Sequence, residues 1–159
     1  CDRSDLIAMN WGITRIGVHT ATAIVGNIGG SVRFDYTSIG DAVNTAARLE
    51  GINKLFGTRA CVSEAIVESC PGLHFRPIGE LVLKGKTEAL KIYEPLKNTY
   101  THMVTYEEAY KALESGREES AIEAFTKIIN QNRSDVLVQF HINRLKRGES
   151  GVLIKALEK

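Results

Sequence analysis

Asn44 and Arg48 stand four residues apart in the stretch Phe34 to Glu50, FDYTSIGDAVNTAARLE. On a helix that spacing puts both side chains on one face, one turn apart. A guanidinium is planar, permanently charged and multidentate, which suits it to phosphoryl oxygens. A neighbouring amide offers both a donor and an acceptor, so it can orient a hydroxyl or a sugar oxygen. The pair therefore has the chemistry to hold a phosphorylated sugar. The spacing alone does not require it, because the same pair also occurs on solvated helix faces that do nothing. Gly85-Lys86-Thr87 does not make a phosphate-binding P-loop, since residue 80 is Glu where a Gly is needed and no helix is predicted to follow.

Positioning such a pair needs a helix fixed on a sheet, and the surrounding pattern predicts one. TRIGVHTATAIVGN, residues 14–27, is rich in β-branched residues and leads into the turn signal GNIGG. RFDYT reads as a second strand, pairing antiparallel with the first across Gly29-Gly30. The helix is predicted from Asp41 to Phe56, with Thr45, Leu49, Ile52 and Phe56 as its buried stripe. Asp41 suits the positive helix N-terminus, and Gly57 sits where a terminating glycine belongs. TRACVS follows as a strand, then SEAIVESC as a short helix capped by Ser63. Leu73 to Leu83 and Leu90 to Leu96 form the arms of a hairpin. The order β-β-α-β-α-β-β predicts an α+β domain over residues 1–98.

After Leu96 the composition shifts. KNTYTHM reads as a linker, and residues 104–159 read as a small α-helical module. Tyr106, Ala109, Tyr110 and Leu113 make one apolar face, and Ala121, Ile122, Phe125, Ile128 and Ile129 make the next, with Gly116 between them. Asp135 to Lys146 fits either a helix or a strand, and its neighbours favour a helix.

The chain has 159 residues, 43% hydrophobic and 25% charged, with a net charge of +1. These values fit a globular fold and supply no global field for nucleic acid or an acidic membrane. Nor does the chain carry the basic stripe or aromatic platform of an RNA binder. Its cysteines, Cys1, Cys61 and Cys70, are odd in number and form no CxxC pair, which fits a reducing compartment. The four histidines lack metal-ligand spacing. The chain opens on Cys1 without a signal-peptide layout and is expected to be a fragment.

Three ordered blocks resemble the C-terminal half of the catalytic domain of class III nucleotidyl cyclases, the adenylate and guanylate cyclase family. They are RIGVHTATAIVGNIG (Arg15 to Gly29), DYTSIGDAVNTAARLE (Asp35 to Glu50) and ELVLKGKTEALKIYEP (Glu80 to Pro95). The resemblance covers roughly Thr14 to Leu96, and it departs from the family pattern at Ala21, where a Gly is usual. It implies a partial ferredoxin-like cyclase domain with an antiparallel-rich sheet and helices. It also implies an activity, conversion of ATP to 3′,5′-cyclic AMP and pyrophosphate. By position, Asn44 matches the asparagine that orients the ribose. Arg48 matches the arginine that stabilises charge building on the α-phosphate. Thr37 matches the base-reading position and favours ATP over GTP. Lys84 matches a lysine that contacts the triphosphate, and Arg33 lies near a phosphate-binding arginine of some members.

The same resemblance implies two Mg or Mn ions, held by two aspartates ahead of Arg15. Asp2 and Asp5 match no such block, so the metal ligands are expected to be absent from this chain and the fragment alone to be inactive. It further implies a homodimer whose site is shared between catalytic domains, an exposed apolar surface here, and a cytoplasmic location, free or behind a membrane anchor. The alternatives are a guanylate cyclase, or a catalytically silent cyclase-like module for regulation or dimerisation. YKALESGREESAIEAFTKIINQNRSD is similar to a tetratricopeptide repeat, without the usual proline. It implies either a peptide-docking or dimerisation module or a helical pair that packs on the cyclase fold.

Overall fold

The computed structural model describes residues 12, 14–30, 34–83, 88–97 and 100–155. Strand β1 (Ile16–Val18) is followed by β2 (Ile24–Gly29), β3 (Phe34–Ile39) and helix α1 (Asp41–Phe56). Then come β4 (Ala60–Ser63), α2 (Glu64–Ser69), β5 (His74–Val82) and β6 (Ala89–Leu96). The chain continues with α3 (Met103–Glu114), α4 (Glu118–Gln131), α5 (Val136–Lys146) and β7 (Leu153–Lys155). The fold is α+β, as the element pattern predicts.

Five strands form one mixed sheet in the order β1-β4-β6-β5-β7, while β2 and β3 make a separate two-stranded ribbon. The β4/β6 and β5/β6 pairs at the centre are antiparallel, and the β1/β4 and β5/β7 pairs at the two ends are parallel. The predicted hairpin is β5–β6, in register from His74↔Leu96 to Val82↔Ala89 with an irregularity at Pro77/Gly79. The expected ribbon is β2–β3, from Ile24↔Ile39 to Gly29↔Phe34.

Three local readings are corrected. Residues 14–27 are not one strand: the chain leaves the main sheet after Val18 and re-forms as β2, because the two halves take different partners. Ser63 stands at the start of α2 but makes no side-chain cap; its Oγ is hydrogen-bonded to Nδ1 of His19 at 2.8 Å. Strand β7, three residues long and too short for a periodic signal, joins β5 from the far end of the chain. The ambiguous segment after Asp135 is helical, and Asp135 caps it by accepting from the Val138 N–H at 3.2 Å.

One apolar cluster runs through the molecule. Leu49 and Phe56 enter it from α1, Ile78, Leu81 and Ile92 from the hairpin, and Tyr106, Leu113, Phe125, Ile128, Leu137 and Val138 from the last three helices. Fully burying side chains of this kind contributes about 1.5–3 kcal/mol each. Side chains from 1–98 and from 104–159 thus share it. A buried polar knot ties the same parts. Arg76 on β5 donates to Glu94 on β6 at 2.6 Å and, through both terminal nitrogens, to Asp135 at 2.7 and 3.1 Å. The Tyr100 hydroxyl also donates to Asp135.

Candidate active site

Helix α1 sits on the sheet by its apolar stripe. Ala42, Thr45, Leu49, Asn53 and Phe56 are buried, and Ile52 packs against the core in part. The helix starts after Gly40 and ends at Gly57, whose left-handed φ of 71° lets its N–H bond back to the Asn53 carbonyl. Such an ending is unstrained only without a Cβ.

Two features fix the helix laterally. Gly17 on β1 lies against its backbone, where an added Cβ would stand 2.2 Å from the Ala46 carbonyl oxygen and 2.3 Å from the Glu50 nitrogen. Buried Asn53 spends its amide group on the carbonyls of Ile16, Leu49 and Glu50 at 3.0, 3.0 and 3.1 Å. Its Oδ1 accepts from the Thr58 hydroxyl at 2.7 Å, so the side chain is satisfied. Neither residue was among the sequence-level candidates. A polar side chain inside the stripe between Leu49 and Phe56 was the available signal for Asn53.

With the stripe turned inward, Asn44 and Arg48 face outward, both exposed and one turn apart, about 6 Å along the axis. Thr37 lies on β3, exposed and paired with Gly26, three residues before the helix junction at Gly40. Lys84 and Arg33 lie outside the described residues, as do Asp2 and Asp5. The site is therefore an open face at the β3–α1 junction, bordered by exposed apolar side chains. Ile24 is 73% exposed, Val25 58%, Tyr36 76% and Ile39 49%. An open face of this kind has donors for a phosphorylated sugar but no wall on its far side, so its water exclusion depends on whatever covers it.

Among the described residues, no group of three or more His, Cys, Asp or Glu could hold a metal ion. The donors among the described residues do not fit the two ions that the resemblance implies. Cys61 is not a reactive thiol: burial, with Glu94 adding to it, pushes its pKa up to about 12.

Over 82 residues the chain is 50% identical to "Adenylate cyclase 1" of Rhizobium meliloti (strain 1021), covering 51% of this chain and 12% of that protein. Over 83 residues it is 45% identical to "Adenylate cyclase" of Anabaena cylindrica, covering 50% of this chain and 16% of the relative. The chain thus spans a small part of either relative's length. Among solved structures, the adenylyl cyclase CyaB from P. aeruginosa aligns with a TM-score of 0.49 at 28% identity, over 59% of this chain and 52% of that one. Residues 11–106 match the family described as "Adenylate and Guanylate cyclase catalytic domain", a span that contains Asn44, Arg48 and Thr37 and more than half of the chain. The chain belongs to the adenylate and guanylate cyclase catalytic domain family.

Proposed function

We propose that this chain supplies the sugar- and phosphate-gripping part of a nucleotide cyclase that converts ATP to 3′,5′-cyclic AMP and pyrophosphate. The 3′-hydroxyl oxygen forms a bond to the α-phosphorus, the bond from that phosphorus to the bridging oxygen breaks, pyrophosphate leaves, and the hydroxyl proton passes to water. Asn44 holds the ribose so that the hydroxyl faces the phosphorus, a positioning role. Arg48 faces the charge that builds on the α-phosphate oxygens, where a fixed cation lowers the barrier. Thr37 contacts the adenine amino group, and Lys84 and Arg33 hold the triphosphate. The observation carrying this reading is the exposed Asn44/Arg48 pair on a helix fixed from behind by Gly17 and Asn53. The preference for ATP is supported by Thr37 and by the names of the relatives.

The rest of the proposal concerns assembly. The metal ligands come from outside the described residues, and a second catalytic domain closes the open face to give a homodimer, with the apolar ribbon β2–β3 at the contact. A cytoplasmic setting fits the cysteine usage; among the described residues no helix is long and apolar enough to cross a membrane. Residues 1–98 form the cyclase part. The helices within 104–159 form a tetratricopeptide-like part, a reading supported by Gly116 between α3 and α4 and by buried Ala121 and Phe125.

The test is cyclic-nucleotide formation by the protein made from its complete reading frame, with manganese, against ATP and GTP. Arg48→Ala should lower kcat by about 10²–10³-fold, the range for loss of one charge-stabilising group, with KM for ATP changed little. Unchanged turnover removes the assignment.

A further inference from the structure

Helix α1 is held in two places. The first is the seam with β1, from Ala46 to Asn53, where Gly17 lies against the backbone and the Asn53 amide donates to the Ile16 carbonyl. The second is its C-terminal end, which meets α5. The rings of Phe56 and Phe140 pack edge to face with centroids 5.1 Å apart and planes at 78°. A Cβ on Gly57 would stand 2.1 Å from Cγ1 of Val136, so the first residue of α5 abuts the terminus of α1. The start of α5 is itself locked to the sheet, because Asp135 caps the helix while gripping Arg76 on β5. All of α5 lies beyond residues 11–106, the span shared with the family.

We propose that α5 is a positioning element for the catalytic face: Val136 and Phe140, set in place by Asp135–Arg76, hold the far end of α1 and thereby fix the orientation of Asn44 and Arg48. The inference rests on the cyclase reading above. Its geometry is that of a rigid rod. A helix held at one seam can rock about it, and a second hold at another point removes that freedom. Phe56 lies about 12 Å along the axis from Arg48 and about 18 Å from Asn44. The seam falls between Phe56 and Asn44, so displacement at the Phe56 end is carried through to the amide. Reactions that depend on holding a hydroxyl against phosphorus lose about 10²-fold for a misplacement near 1 Å. The consequence reaches the tail: whatever shifts α5 alters the site without touching it.

The test uses the protein from its complete reading frame, with Val136→Ala and Phe140→Ala read by amide hydrogen exchange along α1 and by kcat and KM for ATP. Val136 is 54% exposed, so its truncation leaves folding intact. Each variant should speed exchange in residues 53–56 at least tenfold while α4 keeps its protection. Each should lower kcat at least threefold with KM within twofold, and Phe140→Leu should recover most of both effects. Gln139→Ala, on the exposed face of the same helix, should change neither. If Phe140→Ala loses protection throughout α5, Val136→Ala alone decides. Unaltered exchange in α1, or faster exchange with unaltered kcat, overturns the proposal. A parent protein that forms no cyclic nucleotide overturns the cyclase reading instead, and with it the catalytic half of this one. The exchange arm would still report whether α5 restrains α1.

Discussion

Replacing Asp135 by alanine removes one carboxylate that serves three partners at once. Two hydrogen bonds from Arg76 are lost at 2.7 and 3.1 Å, together with the Tyr100 hydroxyl contact and the cap on Val138. The Arg76 side chain is 8% exposed and that of Asp135 2%, so water cannot replace the missing partner without opening the structure. Glu94 remains at 2.6 Å, and burial with the nearby Asp135 charge raises its pKa against the pull of Arg76. Breaking a buried ion pair from one side is destabilising by about 3–5 kcal/mol where the remaining charge is left unpaired, and Glu94, still bonded to Arg76, moderates that here. The lost cap, typically about 1 kcal/mol, overlaps with that figure because the same carboxylate supplies both. The expected loss is therefore near the low end of that range, about 3 kcal/mol, read as a lower urea midpoint at unchanged slope. Replacing all three charged groups, Arg76→Leu with Asp135→Leu and Glu94→Gln, should restore part of it, since no orphaned charge remains. The pH dependence has a definite sign. Burial alone would raise the Asp135 pKa, but the Arg76 hydrogen bonds and charge outweigh it, and the folded value lies below the ordinary 3.8. Asp135 thus contributes its full stabilisation above pH 3.8, and loses it as pH falls through the lowered folded value. Asp135→Ala should lack that acid-side slope. A loss below about 1 kcal/mol at neutral pH would refute the premise that Arg76 depends on this carboxylate.

Other expectations follow from the same structure. His141 is fully buried, stacked on Phe125 with ring centroids 5.0 Å apart, and burial with the nearby Arg144 and Arg76 charges lowers its pKa to about 3. The unfolded chain therefore takes up a proton that the folded one refuses, and stability should fall as pH drops from about 6.5 toward 3. Urea unfolding of His141→Phe across pH 4–7 should show a shallower fall, and an identical slope would exclude this source. Gly17→Ala places a methyl group against the α1 backbone, so the helix must shift. Destabilisation of about 1–3 kcal/mol is expected by thermal or urea unfolding, and an unchanged midpoint would contradict the close approach. Thr37→Ala in the complete protein should change the ratio of ATP to GTP turnover, and identical ratios would discard the base-reading role.

The extent of the site that sequence reveals follows from how far apart the interacting residues are. Helix α1 was legible because Thr45, Leu49 and Phe56 repeat at a period their own neighbours set, and Gly57 marks its end locally. That the outer face would carry Asn44 and Arg48 follows from the same period, since a stripe turned inward leaves the opposite side to solvent. The hairpin β5–β6 was legible for a similar reason, a short polar stretch of sequence between two apolar arms. What holds α1 in its orientation was not legible. Gly17 meets Ala46, Asn53 reaches Ile16, and Arg76 grips Asp135 across 59 residues, each a pairing of segments that no local pattern connects. Residues 14–27 show the limit from the other side: alternation marked them extended, but only partner choice divided them, sending β1 to β4 and β2 to β3. The chemistry at the β3–α1 junction is thus written in adjacent residues, whereas its alignment depends on distant ones. A substitution at Val136 or Asp135 is for that reason a sharper probe of how the site is held than one on α1 itself, which would alter the grip and the gripping residues together.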